Sequence, residues 1–383
     1  MDPTSFWRNA LHPAFDEAVR PMKQTHMKAW RLMRPGGDLA LLEVPVPEPR
    51  PGSVLVRVEA SSLLSYLKAY VAGKLPSYNP PRAAFTIGTN GVGVVEAVGR
   101  DVWHLKPGQR VMLSSHFVAR DNVEDPGQIL IGLTASAGAD AVLTDWPDGT
   151  LAEFALAPVE AVTPADGLDH IDAAQLAAVS RFMVPFGGLL RGRLAVGETL
   201  MVTGATGRFG TAAVLLGVAM GAAHVIAAGR DHSKLEAIAR VAGSRVKTVV
   251  LTADVSADAR ALREASGGGA QMAFDMVGQA KDPNATLAAL HGLRRGGRLV
   301  LMGSMSADLP IPYTALMFNN WELIGQFMYP ANAYLRLLEL VRCGLLDITK
   351  IRPHTYPMAA LPAAMDAAAT AGNFDTIVVQ PAL

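Results

Sequence analysis

The octapeptide TGATGRFG, Thr203–Gly210, combines residue types and spacing that suit phosphate binding. It follows the apolar run TLMV and opens into TAAVLLGVAMGA, so its glycines stand between a strand-like and a helix-like stretch. In that setting Gly204 suits a tight turn, Gly207 the close approach of a pyrophosphate, and Gly210 the packing of helix on strand. Ala205, Thr206, Arg208 and Phe209 fill the positions between and complete the expected cofactor loop. A helix starting after Gly207 aims unpaired N–H groups and the positive end of its dipole at an anion. The chemistry expected here is dinucleotide binding. A second glycine group, in TIGTNGVGVVEAVG from Thr86 to Gly99, competes for the same role.

The tip of the next strand-like segment bears on which dinucleotide. HVIAAGR ends in Gly229 and Arg230, with Lys234 one turn later. An NAD-preferring site places a carboxylate here for the ribose 2′-hydroxyl. A carboxylate about 4 Å from a 2′-phosphate costs roughly 4 kcal/mol at an effective dielectric of about 20. Gly229, Arg230 and Lys234 remove that repulsion and offer two cations, which points to NADPH/NADP. Asp231 follows Arg230 directly and is compatible with this reading if its carboxylate faces elsewhere.

The elements around these residues divide the chain in two. At 383 residues it is longer than one core usually fills. From Met27 to about Pro158 the pattern is β-like: SVLVRVEAS (Ser53–Ser61), GVGVVEAVG (Gly91–Gly99), QRVMLSS (Gln109–Ser115) and TLAEFALAP (Thr150–Pro158). Asp121–Asp148 shows no period and reads as a long loop, while Asp169–Val179 and Pro185–Leu194 read as helices. Beyond Thr199 short apolar strands alternate with helix-length connections, which predicts a doubly wound parallel sheet, an α/β fold. Acidic and basic residues balance at 34 each, so no basic stripe suggests nucleic acid. The single cysteine, Cys343, makes no intrachain disulfide, and a reducing, cytoplasmic setting is expected. No apolar run approaches the roughly 20 residues that span a bilayer, so no membrane partner is expected. Residues 1–26 carry charges throughout and lack a signal-peptide core. They are set aside as a true extension, a misassigned start or an expression remnant.

Several stretches together resemble the medium-chain dehydrogenase/reductase superfamily. They are MKAW at Met27, the proline-rich Pro45–Val58, IGTNGVGVVEAVG, KPGQRV (Lys106–Val111), GTLAEF and the glycine motif. The resemblance runs from Met27 to Leu383. It implies a catalytic domain with a partly open, GroES-like β-barrel at 27–160, a Rossmann NADP-binding domain at 161–325, and a return to the catalytic domain at 326–383. Zinc-dependent members hold Gly-His-Glu-Gly where this chain has Gly88–Gly91, and here the central pair is Thr89 and Asn90. The catalytic-cysteine position falls on Leu64, and the four-cysteine lobe is missing. Zinc takes thiolate, imidazole or carboxylate at about 2.0–2.3 Å, so no metal is expected. The first glycine group then reads as a strand-entry turn beside the substrate cleft.

What the resemblance implies is a zinc-independent NADPH oxidoreductase delivering hydride to a quinone or α,β-unsaturated carbonyl compound. The alternatives are a metal-free alcohol dehydrogenase or ketone reductase, and an NADPH-binding protein with little turnover. The polar positions of quinone reductases fall on Leu64, Leu67 and Leu75. Tyr66 and Asn90 are therefore the candidates for a catalytic proton donor, each with a structural alternative, aromatic packing for Tyr66 and turn capping for Asn90; solvent water is a third source. By position Val277, Gly303 and Ser304 are expected near the adenosine or nicotinamide ribose, Val184 near the nicotinamide, and Phe327 and Met328 over the same region. Met305, Tyr313, Phe318 and Trp321 line either the substrate pocket or a subunit interface. A homodimer through a Rossmann edge strand is expected.

Overall fold

The computed structural model describes residues 24–383, so residues 1–23 of the N-terminal extension lie outside the described part. From Thr199 onward the alternating apolar runs fold as a six-stranded parallel sheet. Its order across the sheet is Val246–Val250, His224–Gly229, Thr199–Thr203, Ala270–Asp275, Leu293–Leu301 and Glu322–Gly325. Thr199–Thr203 is buried at all five positions, as expected of a strand covered on both faces. Helices Arg208–Ala219, His232–Ala242, Val255–Ala265 and Asn284–His291 make the crossovers. The direction of winding reverses beside Thr199–Thr203, which pairs with His224–Gly229 on one side and Ala270–Asp275 on the other. Ligands of such sheets sit outside the carboxyl ends of the strands at that switch point.

The β-rich body is organised round Ser53–Ser62, a strand buried along nearly its whole length, with only Arg57 exposed. It pairs with Gly91–Val98, with Phe154–Pro158 and with the C-terminal strand Asp375–Gln380. Asp375–Gln380 also runs parallel to Arg352–Pro357, so the end of the chain is zipped into the body formed by its start. One apolar cluster passes through both halves, joining Ala60, Val92 and Met112 to Phe182, Leu200, Phe274 and Val300. The two bodies therefore share packing rather than hang on a linker. In the opening glycine group a Cβ at Gly93 would lie 2.3 Å from the Arg57 carbonyl oxygen, beside a bulge in the strand pairing. Close approach of two backbones excludes a side chain there.

Two segments differ from the sequence reading. Asp121–Asp148 is not a plain loop: it holds strands Gln128–Leu130 and Thr134–Ala135 and a helix Asp140–Asp145. Elements of two to six residues are too short to show a period, which is why the alternation was invisible. The helices expected at Asp169–Val179 and Pro185–Leu194 form one run instead. Asp172 caps it through Ala174 and Gln175 N–H, a 3₁₀ segment spans Ala178–Phe182, and an α-helix follows over Met183–Arg191. Among the described residues this run, Ala173–Arg191, is long and apolar enough to cross a bilayer, against the expectation from the sequence. Its apolar window is 78% buried inside the fold, the pattern of a core helix.

Candidate functional site

The glycine loop sits at the carboxyl end of Thr199–Thr203. Gly204 takes φ +66°, a left-handed conformation, and a Cβ on it would lie 2.6 Å from the Met276 carbonyl oxygen. Gly210 packs its α-carbon against the turn itself: a Cβ there would stand 2.0 Å from the Gly204 carbonyl oxygen. Gly207 is the residue before the helix Arg208–Ala219 and faces open space, with only the Gly204 carbonyl oxygen near its missing Cβ, at 3.3 Å. No side chain caps this helix. The neighbouring helices at His232 and Val255 are capped by Asp231 and Asp254. A cradle open at Gly207, with unclaimed N–H groups at a helix start, fits a pyrophosphate. Ala205 is buried, Thr206 packs against Gly229, and Phe209 packs on the shared core.

The expected 2′-phosphate corner shows one difference. Arg230 is exposed at the end of its strand and makes no ion pair among the described residues. Asp231 does face elsewhere: its Oδ1 accepts from Lys234 N–H at 3.1 Å and Ser233 Oγ at 2.7 Å. These hydrogen bonds, Ser233 first, hold the Asp231 carboxyl below its usual range. Lys234 Nζ lies 3.5 Å from Asp231 Oδ2, so its charge is shared and Arg230 is left as the unshared cation of the pair.

At the ends of the next strands, Asp275 holds the floor. It is buried and accepts from Thr203 Oγ1 at 2.7 Å, Val277 N–H at 3.1 Å and Thr286 Oγ1 at 3.0 Å. Burial raises its pKa despite these bonds. Val277 accepts from Ser304 N–H at 3.0 Å, and Gly303 approaches the same carbonyl, so the three residues expected near a ribose form one tight corner. Gln279 and Met328, both beside these strand ends, take left-handed φ of 54° and 53°. Non-glycine residues held there store strain, which concentrates at functional sites.

Val184 is half-buried on the helix Met183–Arg191, whose Gly187 packs against the Met328 carbonyl and Tyr329. Phe327 is 59% exposed and meets His116 edge-on at 6.1 Å. Next to them lies a polar cluster on buried backbone. Ser114 Oγ is 3.0 Å from Tyr329 Oη, and Ser62 Oγ is 2.7 Å from Ser180 Oγ. His116 packs edge-on to Tyr329 at 5.2 Å, and its Nε2 faces Gln128 Oε1 at 3.2 Å. Burial lowers the His116 pKa, so the ring is neutral at neutral pH. Burial pushes the Tyr329 phenol up to about 12, and the hydrogen bond shared with Ser114 opposes it.

The two expected donors are placed differently. Asn90 is buried, and its Oδ1 accepts from Ser115 N–H at 2.9 Å, so the amide oxygen is committed to holding a turn. Tyr66 packs with Tyr78 at 6.1 Å, and Tyr70 with Tyr78 at 5.6 Å, in the core beside the cleft. Burial, then the Tyr78 hydroxyl, push its phenol well above the usual range. The sequence reading singled out neither Ser114 and Tyr329 nor Ser180 and Arg181. Tyr329 stands directly after Met328, but a tyrosine in GQFMYP has no spacing that announces a partner 215 residues away.

At the family's metal position the side chains are Leu64, Thr89 and Asn90. Leucine offers no ligand atom, and the Asn90 oxygen is already bonded. No cluster of three or more His, Cys, Asp or Glu with metal spacing exists among the described residues. This donor set does not fit zinc.

Comparison with known proteins places these features in a lineage. Residues 50–167 match the family "Alcohol dehydrogenase GroES-like domain", and residues 209–342 match "Zinc-binding dehydrogenase". A putative D-xylulose reductase of Rhizobium meliloti is 29% identical over 355 residues, covering 88% of this chain and 94% of the relative. Human sorbitol dehydrogenase is 25% identical over 323 residues, covering 84% and 87%. A solved putative zinc-binding dehydrogenase from Sinorhizobium meliloti 1021, bound to NADP, superposes with a TM-score of 0.73 at 21% identity, covering 94% of this chain and all of that one. These relatives are polyol and zinc-type dehydrogenases, whereas the sequence motifs alone pointed to the quinone and enone branch.

Proposed function

We propose that this chain, a member of the medium-chain dehydrogenase/reductase superfamily and an oxidoreductase of the dehydrogenase type, interconverts a small carbonyl compound and its alcohol with NADP(H), without zinc. The curated relatives support the alcohol–carbonyl reaction. The donor set at Leu64, Thr89 and Asn90 supports the metal-free form, and it is the observation that carries the proposal.

The dinucleotide, when bound, supplies or takes up hydride. The protein's own share is position, dryness and a proton. The Gly204–Gly210 turn and the uncapped helix start would hold the pyrophosphate, Val277, Gly303 and Ser304 would meet a ribose, and Val184, Phe327 and Met328 would line the nicotinamide end. The Ser114 hydroxyl lies 3.0 Å from Tyr329 Oη. The proton it shares with the His116 carbonyl at 3.2 Å would pass to a carbonyl oxygen that gains charge in the transition state, and the proton of Tyr329 Oη would replace it. We take this pair as the proton source in place of Tyr66, whose ring packs against Tyr78.

A second reading keeps the quinone or enone substrate. The same absence of ligand atoms favours it, because a conjugated carbonyl spreads developing charge without a Lewis acid. Turnover of NADPH with ketones, enones and quinones side by side separates the two: the first reading expects the ketones to be reduced, and reduction confined to quinones and enones would replace it.

For the cofactor, Arg230→Ala is expected to raise the KM for NADPH about tenfold or more and leave that for NADH nearly unchanged. Equal effects on both would remove the 2′-phosphate assignment. For assembly, the sheet edge Glu322–Gly325 and the helix Tyr313–Asn319, which buries none of its residues, expose Tyr313, Met317 and Phe318. On this face we propose a contact with a second copy. Light scattering is expected to give twice the chain mass, falling to one chain mass in Phe318→Asp. A monomeric wild type would overturn this.

A further inference from the structure

Behind the glycine loop lies a buried cation that the reaction proposed above does not use. Arg181 is 4% exposed, on the 3₁₀ segment that precedes the helix Met183–Arg191. Its Nη2 donates to the Arg208 carbonyl at 2.9 Å and the Asn373 carbonyl at 2.6 Å. Its Nη1 reaches the Asp375 carbonyl at 3.4 Å and Thr376 Oγ1 at 3.3 Å. Its Nε is buried with no partner among the described residues.

The neighbouring charge makes this arrangement unusual. Arg208 stands at the first turn of the uncapped helix, and its guanidinium reaches the Leu63 carbonyl only at 3.5 Å from both Nη atoms. Neither arginine makes an ion pair among the described residues. The one carboxylate near them, Asp375, spends its Oδ1 on Arg352 at 2.9 Å and His354 at 3.0 Å. Burial, then the Arg208 charge, push Arg181 down to about 9, still charged at neutral pH. The two arginines beside a positive helix end draw on the single Asp375 charge, which Arg352 and His354 also use, so an anionic ligand would relieve their repulsion.

We propose that Arg181 is a positioning residue for the dinucleotide's pyrophosphate: it clamps the Arg208 carbonyl to the Asn373–Thr376 segment and so fixes the first turn of the helix that the glycine loop opens into. Cofactor binding thereby couples to the docking of the C-terminal strand, because one side chain holds both. The inference rests on the dinucleotide reading of the loop, yet it concerns affinity alone and needs no substrate.

The test is fluorescence titration of NADPH and NADH, with inorganic pyrophosphate as competitor, on wild type, Arg181→Met, Arg181→Lys, Arg208→Gln and Arg230→Ala. Arg208→Gln and Arg181→Met are expected to weaken both dinucleotides by the same factor, about ten- to a hundredfold, and to lose competition by pyrophosphate. Arg181→Lys keeps the charge and recovers part of the affinity. Arg230→Ala weakens NADPH alone. Arg208→Gln keeps the backbone carbonyl that Arg181 holds, so it decides the case if Arg181→Met does not fold. Unchanged affinity in Arg208→Gln, or pyrophosphate competition retained in a folded Arg181→Met, overturns the proposal while leaving the oxidoreductase reading in place. A wild type that binds neither dinucleotide overturns both.

Discussion

Gly210→Ala is expected to remove dinucleotide binding, raising the Kd by about 100-fold or more while the chain stays folded. The physical reason is local and severe. The new Cβ would stand 2.0 Å from the Gly204 carbonyl oxygen and 2.8 Å from the Ala205 α-carbon, both backbone atoms that cannot rotate away. The helix Arg208–Ala219 must therefore move off the strand Thr199–Thr203, and with it the N–H groups that would meet the pyrophosphate. Overpacking of this kind costs about 1–3 kcal/mol of stability, which a chain with an extensive shared core tolerates. Titration of NADPH against a thermal melt reads both effects. A folded Gly210→Ala chain that binds NADPH with wild-type affinity would mean that the cofactor does not use this turn.

The second large effect concerns the proton. Tyr329→Phe is expected to lower kcat about 100-fold with the dinucleotide Kd unchanged, because it removes the hydroxyl bonded to Ser114 and touches none of the cofactor loop. Ser114→Ala is expected to lower kcat at least as far, and also to destabilise by about 1–3 kcal/mol, since it leaves the buried Tyr329 phenol without its hydroxyl partner. Tyr66→Phe serves as the contrast and leaves turnover nearly intact, its ring still packed against Tyr78. If instead Tyr66→Phe abolishes kcat and Tyr329→Phe does not, the proton comes from the aromatic group at Tyr66. The phenol of Tyr329, pushed up to about 12, stays protonated across the neutral range. An alkaline limb in kcat near neutral pH would therefore come from some other group.

Much of the architecture was legible because it is periodic. TLMVT, HVIAA, MAFDMV and RLVLMG each announce a buried parallel strand, and all four lie in one sheet in the order that puts Thr199–Thr203 at the switch point. The loop glycines were legible because backbone geometry restricts the residue type: Gly204 and Gly210 hold conformations or contacts closed to any side chain. The segment Asp121–Asp148 was not, since three short elements carry no period. Nor were the side-chain partnerships. Ser114 and Tyr329 are 215 residues apart, and Arg181 binds carbonyls at Arg208, Asn373 and Asp375, so neither shows as local spacing. Asp231 shows the intermediate case. Its presence beside Arg230 was plain, but its service as a helix cap and as the partner of Lys234 came only with the fold.

The measurement that bears most directly on the account is turnover of a ketone panel with NADPH by protein dialysed against a strong chelator, then repeated with zinc added. The account predicts that reduction survives chelation, gains nothing from zinc, and runs better with NADPH than with NADH. Activity that disappears on chelation and returns with zinc would contradict it.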